Sequence, residues 1–252
     1  MSESVPLDVR LFPCLSDNYG FLARDEATGQ VAAVDTPDGA AVLKAAEELG
    51  WTISLILNTH WHPDHTQGNA VVQAATGAVI VGPEEVKRAA PLDQVVKPGD
   101  HVRLGETDFH VLASGGHTLG HVAFHAPDAN VAFTGDTLFT MGCGRMFEGT
   151  PEQFWESLSV LAALPPETVA YGAHEYTASN ARFSLSVDDD PAVEARAEAI
   201  FAMRERGEPT VPTTIGEELA TNPMLRAPQL HPDLSPAEAF AAVRKAKDEF
   251  KG

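Results

Sequence analysis

The chain has 252 residues, 44% of them hydrophobic and 21% charged, which is ordinary globular composition and excludes a disordered or fibrous protein. Its formal net charge of -19 disfavours a nucleic-acid binder, which needs a basic footprint to displace counterions from phosphates. Only two cysteines occur, Cys14 and Cys143, so no disulfide framework is expected. The first eleven residues lack a basic segment followed by an apolar core, and no apolar run is long enough to cross a bilayer. The expectation is a cytoplasmic protein with neither membrane nor nucleic acid as partner.

In chain order, the first half reads as short strands separated by turns. Val5, Leu7, Val9 and Leu11 alternate, and Tyr19 to Ala23 and Val31 to Val34 are further strands around a turn. Asp38-Gly39 opens a helix over Ala40 to Leu49 that Gly50 ends. Ile53 to Asn58, apolar and β-branched, reads as a buried strand. A helix over Asn69 to Ala75 and a strand over Ala78 to Val81 follow. Further strands are expected at Val102 to Leu104, Phe109 to Ala113, Val122 to His125, Val131 to Thr134 and Thr168 to Tyr171. Thr150-Pro151-Glu152-Gln153 reads as a capping box opening a helix to about Leu164. Beyond His174 only helices are expected, after Asp190, Thr214 and Ser235. This gives a strand-and-helix domain over residues 1–173 and a small helical domain over 174–252. Many strands interrupted by occasional helices fit two packed sheets flanked by helices better than regular βαβ alternation.

The residues that carry chemistry start immediately after the strand ending at Asn58. His60-Trp61-His62-Pro63-Asp64-His65 packs three imidazoles and a carboxylate into one loop, donors suited to borderline divalent metals. In extended backbone His60 and His62 point to one side, while Asp64 and His65 can face a second ion where the chain turns. Three more strand ends deliver single candidates: His117 in Gly115-Gly116-His117, Asp136 in Thr134-Gly135-Asp136, and His174 in Gly172-Ala173-His174. An aspartate after a strand is usually a cap and a lone histidine usually structural; four strand ends together are a pattern.

That set resembles the metallo-β-lactamase superfamily. Asp17-Asn18-Tyr19, Gly135-Asp136-Thr137-Leu138-Phe139, Gly142-Cys143-Gly144-Arg145, His174-Glu175-Tyr176-Thr177, Asn222-Pro223-Met224-Leu225-Arg226 and Ala242 to Asp248 narrow the resemblance to its glyoxalase II family, the hydroxyacylglutathione hydrolases. The resemblance implies an αββα sandwich, α/β in class, with a small C-terminal helical domain. It implies two divalent metal ions per chain, zinc first, with iron and manganese compatible with the same ligands. His60, His62 and His117 would hold one ion, Asp64, His65 and His174 the other, and Asp136 would bridge them.

The implied reaction is hydrolysis of S-D-lactoylglutathione to D-lactate and glutathione, the second step of methylglyoxal detoxification, by a monomer. Asp64 and Asp136 are the catalytic carboxylates of this reading. Arg145, Tyr176, Arg244 and Lys247 match family positions that contact glutathione, and Arg244 and Lys247, three apart, share a helical face. Phe147 departs from a pattern that often has tyrosine, removing one hydroxyl donor to the substrate. His121 is expected to be interior or to back the ligands; His101, His110, His125, His231 and Cys143 are expected to be structural or exposed, and Asp188 to Asp190 to cap a helix. The rival reading is a glutathione persulfide dioxygenase of the same fold with one iron, which the full second ligand set argues against. A lactonase or β-lactamase leaves Arg244 and Lys247 unexplained, an acidic chain disfavours a nuclease, and a metal-binding scaffold would tolerate a broken ligand set.

Overall fold

The computed structural model describes residues 7–252, so the Val5 position of the first strand lies outside the described residues. The chain divides into two compact units, the first running to Ala113 and including Gly120–Gly135, the second made of Ser114–Leu119 and Asp136–Gly252.

The first unit holds strands β1 (Leu7–Cys14), β2 (Asn18–Asp25), β3 (Val31–Val34), β4 (Ile53–Leu57), β5 (Val79–Pro83), β6 (Gln94–Val96), β7 (His101–Leu104), β8 (Thr107–Ala113), β9 (Val122–Ala126) and β10 (Val131–Gly135), with helices α1 (Gly39–Leu49), α2 (Pro63–Thr66) and α3 (Asn69–Thr76). Strands β1 to β6 form one sheet in sequence order, antiparallel as far as β3 and parallel from there on. The switch falls where α1 and α3 carry the chain back over the sheet, as parallel pairing requires. Asp38 caps α1 by accepting from the amides of Ala40 and Ala41, and Gly50 ends it at φ 67°. Val42 and Ala46 of α1 and Val72 of α3 pack against Leu22, Val31, Ile53, Ile56 and Ile80, the outer core of this sheet. Strands β10, β9, β8 and β7 pair antiparallel in that order as part of the second sheet. Phe21 of β2 meets Phe133 of β10 at 5.8 Å, so the two sheets pack face to face in this unit.

Asp25 staples the sheets at their far corner. Its carboxylate accepts from the amide and hydroxyl of Thr28 at 2.8 and 2.7 Å, and from those of Thr107 at 2.9 and 2.8 Å. The side chain is wholly buried. Burial alone would raise its pKa, but the Thr28 and Thr107 bonds more than offset it and hold it below the usual range.

The second unit contains β11 (Leu138–Phe139), β12 (Gly142–Cys143), β13 (Val169–Gly172), β14 (Thr213–Thr214), α4 (Pro151–Ala162), α5 (Thr177–Val187), α6 (Pro191–Glu205), α7 (Ile215–Thr221), α8 (Ala227–Leu230) and α9 (Pro236–Glu249). Capping boxes open α7 at Thr214–Glu217 and α9 at Ser235–Glu238, and Asp190 caps α6. At Thr150 only half of the expected box forms, the hydroxyl accepting from the Gln153 amide. Phe154 of α4 meets Phe240 of α9 edge-on at 5.3 Å. Met141 packs with Ala181, Val193, Ala197 and Ile200, joining α5 and α6 to the loop between β11 and β12.

Two elements here run against the sequence reading. Helix α5 follows His174 although Thr177-Ala-Ser-Asn-Ala-Arg-Phe-Ser-Leu-Ser-Val carries no apolar period and is rich in residues that compete for backbone bonds. Tertiary contacts hold it: Asn180 is buried and donates to the Thr140 carbonyl at 3.1 Å. Strand β14 is two residues pairing antiparallel with β13, too short for a periodic signal.

Candidate metal centre

In the first unit β4 hands the chain to Asn58-Thr59-His60, and α2 begins at Pro63 with Asp64 and His65 in its single turn. His60 and His65 are buried, their rings 4.1 Å apart. Asp35, at φ 54° just past β3, organises both. One oxygen accepts from the Thr59 amide at 2.8 Å; the other faces the Thr59 hydroxyl and His65 Nδ1, each at 2.8 Å. The Thr59 hydrogen is therefore spent on Asp35, so its oxygen accepts from His60 Nδ1 at 3.0 Å. Both histidines thus carry their proton on Nδ1 and present a bare Nε2, the outer support that metal-ligating imidazoles need.

His60 Nε2 faces His62 Nδ1 at 3.0 Å. Two imidazole lone pairs this close call for a cation or proton between them, and nitrogens each about 2.0–2.1 Å from a zinc-sized ion fit that spacing. Asp64 Oδ2 lies 3.6 Å from His65 Nε2 and accepts from Asn18 Nδ2 at 3.0 Å, which fixes its rotamer. Asn58 donates to the His65 carbonyl at 3.1 Å, holding α2 against the strand end. His121 is buried and stacked on His60 at 4.8 Å, a wall behind the ligands. Gly135, at φ 50°, has no room for a Cβ, which would meet His121 Nε2 at 2.6 Å and Thr59 Oγ1 at 2.8 Å.

In the second unit His117 donates from Nδ1 to the Arg145 carbonyl at 2.7 Å, again leaving Nε2 bare. Nε2 lies 3.3 Å from one oxygen of Asp136, and His174 Nε2 lies 3.4 Å from the other. The carboxylate is buried and turns one oxygen to each imidazole, the arrangement a bridging ligand adopts. His174 is stacked flat on Tyr176 at 4.7 Å, and Phe139 closes its edge at 5.8 Å. Three imidazoles and a carboxylate in the first unit, and two imidazoles and a carboxylate in the second, with their orienting hydrogen bonds, are donors whose chemistry fits divalent metal.

The basic residues also gather in the second unit. Arg244 is buried, donating to the Cys143 carbonyl at 3.0 Å and pairing with Asp248 at 2.8 Å. Lys247 donates to the Ser179 carbonyl and hydroxyl at 2.9 and 3.0 Å and lies over the Phe183 and Phe250 rings. Desolvation, then the charges of Arg244, Arg182 and Arg145, lower its pKa to about 8 against the pull of Asp248. Arg145 stays largely exposed, 3.8 Å from Asp248; Tyr176 is half exposed and Phe147 62% exposed, edge-on to His117 at 5.2 Å. Burial pushes the Cys143 thiol up against the pull of Arg244, consistent with a structural role. Asp190 caps α6 and Asp188 pairs with Arg226 at 2.6 Å.

Sequence reasoning missed Asp35 and Arg182. Asp35 had one signal, a carboxylate directly after an apolar strand. Arg182 had none, because it lies on the unrecognised α5.

Residues 25–174 match the metallo-beta-lactamase superfamily, and residues 175–250 match the hydroxyacylglutathione hydrolase C-terminus. A hydroxyacylglutathione hydrolase of Erythrobacter litoralis is 54% identical, with 97% of this chain and all of the relative covered. One from Cereibacter sphaeroides is 48% identical over 98% of this chain and all of its own length. Among solved structures, ETHE1 from Myxococcus xanthus superposes with a TM-score of 0.71 at 29% identity, covering 94% of this chain and 90% of its own. No helix among the described residues is long and apolar enough to cross a membrane.

Proposed function

The chain belongs to the metallo-β-lactamase superfamily and, within it, to the hydroxyacylglutathione hydrolases, and from that we propose that it hydrolyses glutathione thioesters, S-D-lactoylglutathione first among them, at a two-metal centre. The observation that carries this is Asp136, whose two oxygens face two different imidazoles at 3.3 and 3.4 Å. The donor geometry within each unit supports the assignment: His60 Nε2 faces His62 Nδ1 at 3.0 Å and Asp64 Oδ2 lies 3.6 Å from His65 Nε2 in the first, and His117 and His174 flank Asp136 in the second. Two divalent cations there would bring the pKa of a shared water from about 15.7 towards neutrality and polarise an acyl carbonyl. Zinc is our first assignment for both.

The chain's own residues do the rest. Asp35 and Thr59 hold His60 and His65 in one tautomer, so no proton competes at Nε2. Asn18 keeps Asp64 turned toward His65, where it can also accept a water proton. The leaving thiol has a pKa of about 8.5, so it departs as thiolate without a strong general acid, and the reading needs none. We assign residues 1–173 to catalysis and the helices of 174–252, with Arg145, to holding the glutathione. Arg145, Tyr176, Arg244 and Lys247 offer cations and a hydroxyl for its carboxylates, which an otherwise acidic chain must supply locally.

The test is metal content and S-D-lactoylglutathione turnover measured on one preparation, with Asp136→Asn beside the parent. About two ions per chain in the parent, and loss of turnover with loss of metal in the variant, are expected. Full turnover by protein carrying no metal would end this reading. Oxygen uptake with glutathione persulfide, without thioesterase activity, would favour the dioxygenase instead.

A further inference from the structure

A second cluster of metal-ligating side chains sits in the first unit and uses none of the residues assigned to the metal centre. His101 on β7 and His110 on β8 are direct partners in the antiparallel register, and His110 is in turn the partner of His125 on β9. Direct partners share a face, so three imidazoles form a row across three strands. Asp108, two residues before His110, projects on that same face.

The donor atoms converge. His101 Nδ1 lies 2.8 Å and His110 Nε2 3.6 Å from the same oxygen of Asp108, and the two rings are 4.3 Å apart. The donors of all three residues fall within 4.8 Å of one another. Around a tetrahedral ion with bonds near 2.0–2.1 Å, neighbouring donors stand about 3.3 Å apart, so small side-chain rotations suffice. The side chains of His101 and His110 are 54% and 41% exposed, which leaves an entry path and room for water on the open positions.

His125 backs the cluster. It is 7% exposed, its Nε2 has no hydrogen-bond partner, and its ring meets His110 edge-on at 6.3 Å. Burial, followed by the neighbouring His110, lowers its pKa. Arg103, opposite Asp108 in register, is the one fixed positive charge on this face of the two strands and opposes the charge of a bound cation. Two imidazoles and a carboxylate with open positions select first-row divalent ions such as Zn²⁺, Ni²⁺ and Cu²⁺ over Mg²⁺ or Ca²⁺.

We propose that His101, Asp108 and His110 form an ancillary transition-metal site on the β7–β8 hairpin. The competing use of the same geometry is a plain cross-strand His101–Asp108 hydrogen bond, with a proton where the metal would be. Holoprotein equilibrated with free Zn²⁺ over a range of concentrations, then counted for zinc per chain, separates them. The parent should take up one ion more than His101→Ala/His110→Ala, and Asp108→Asn should weaken that last ion at least tenfold. Thioester turnover and thermal midpoint should stay at parental values in the double variant, which shows that the ions at the catalytic centre and the fold are intact. Equal zinc counts in parent and double variant across the titration would overturn the proposal, and so would loss of the extra ion only together with activity.

Discussion

Asp35 carries three hydrogen bonds and a left-handed backbone at φ 54°, a conformation that costs energy for any residue with a side chain. The strain is sustained because one carboxylate orients His65 directly and His60 through Thr59. Replacing Asp35 by Asn removes the charge and leaves one oxygen for three donors, so an NH2 opposes at least one of them and the hold on Thr59 and the His65 proton weakens. Metal affinity should fall about 10–100-fold, as for removal of other outer supports of metal ligands, read by chelator competition; unchanged affinity would show that Asp35 is only a fold residue. Lys247 offers a pH signature. With its pKa lowered to about 8, it is a cation below that pH and neutral above it. If it holds a glutathione carboxylate, KM is flat below pH 8 and rises above it, with kcat unaffected by this group. Lys247→Arg, which keeps its charge, should flatten the rise, and an unchanged KM profile would remove Lys247 from the binding surface. Arg244 is a poorer probe, because its buried guanidinium also holds the Cys143 carbonyl.

Among the elements, those with a period or a cap were legible in the sequence. Strand β1 alternates, β3, β4 and β5 are short and mostly apolar, and α1, α6, α7 and α9 announce themselves by Asp38, Asp190, Thr214 and Ser235. Helix α5 was not, because its stability comes from partners such as Thr140 that no local pattern reveals. The Asp25 staple is equally invisible, joining residues more than eighty positions apart. Its removal tests how much the corner contributes. Asp25→Ala leaves the Thr28 and Thr107 donors without their acceptor, and unsatisfied buried donors cost about 1–3 kcal/mol each. A loss of at least 2 kcal/mol by urea unfolding is the expected result. The pKa is depressed, so the contribution is present above the ordinary carboxylate range and is lost as pH falls through the folded value. The gap between parent and variant should therefore narrow in acid, and a gap constant down to pH 2 would contradict the charge-based account.

For the whole molecule, the proposed ligands could be picked out of the sequence because each stands just beyond a strand, while the sequence says nothing of the hydrogen bonds that orient His60, His65 and His117. The proposed ligands run from His60 to His174, so bound ions tie together segments that are remote along the chain. Ions that bind the folded chain and not the unfolded one stabilise it by about 2.7 kcal/mol when free metal is a hundredfold above Kd. Stripping them also leaves buried His60, His65, His117, Asp136 and His174 with their ligand faces turned inward, a second cost in the same direction. Chelator-treated protein should therefore melt several degrees lower than the holoprotein, with cooperative recovery on adding Zn²⁺. Asp136→Asn should recover little of that shift, and His101→Ala/His110→Ala nearly all of it. Identical melting temperatures with and without metal would mean that the seven side chains do not act as one ligand set.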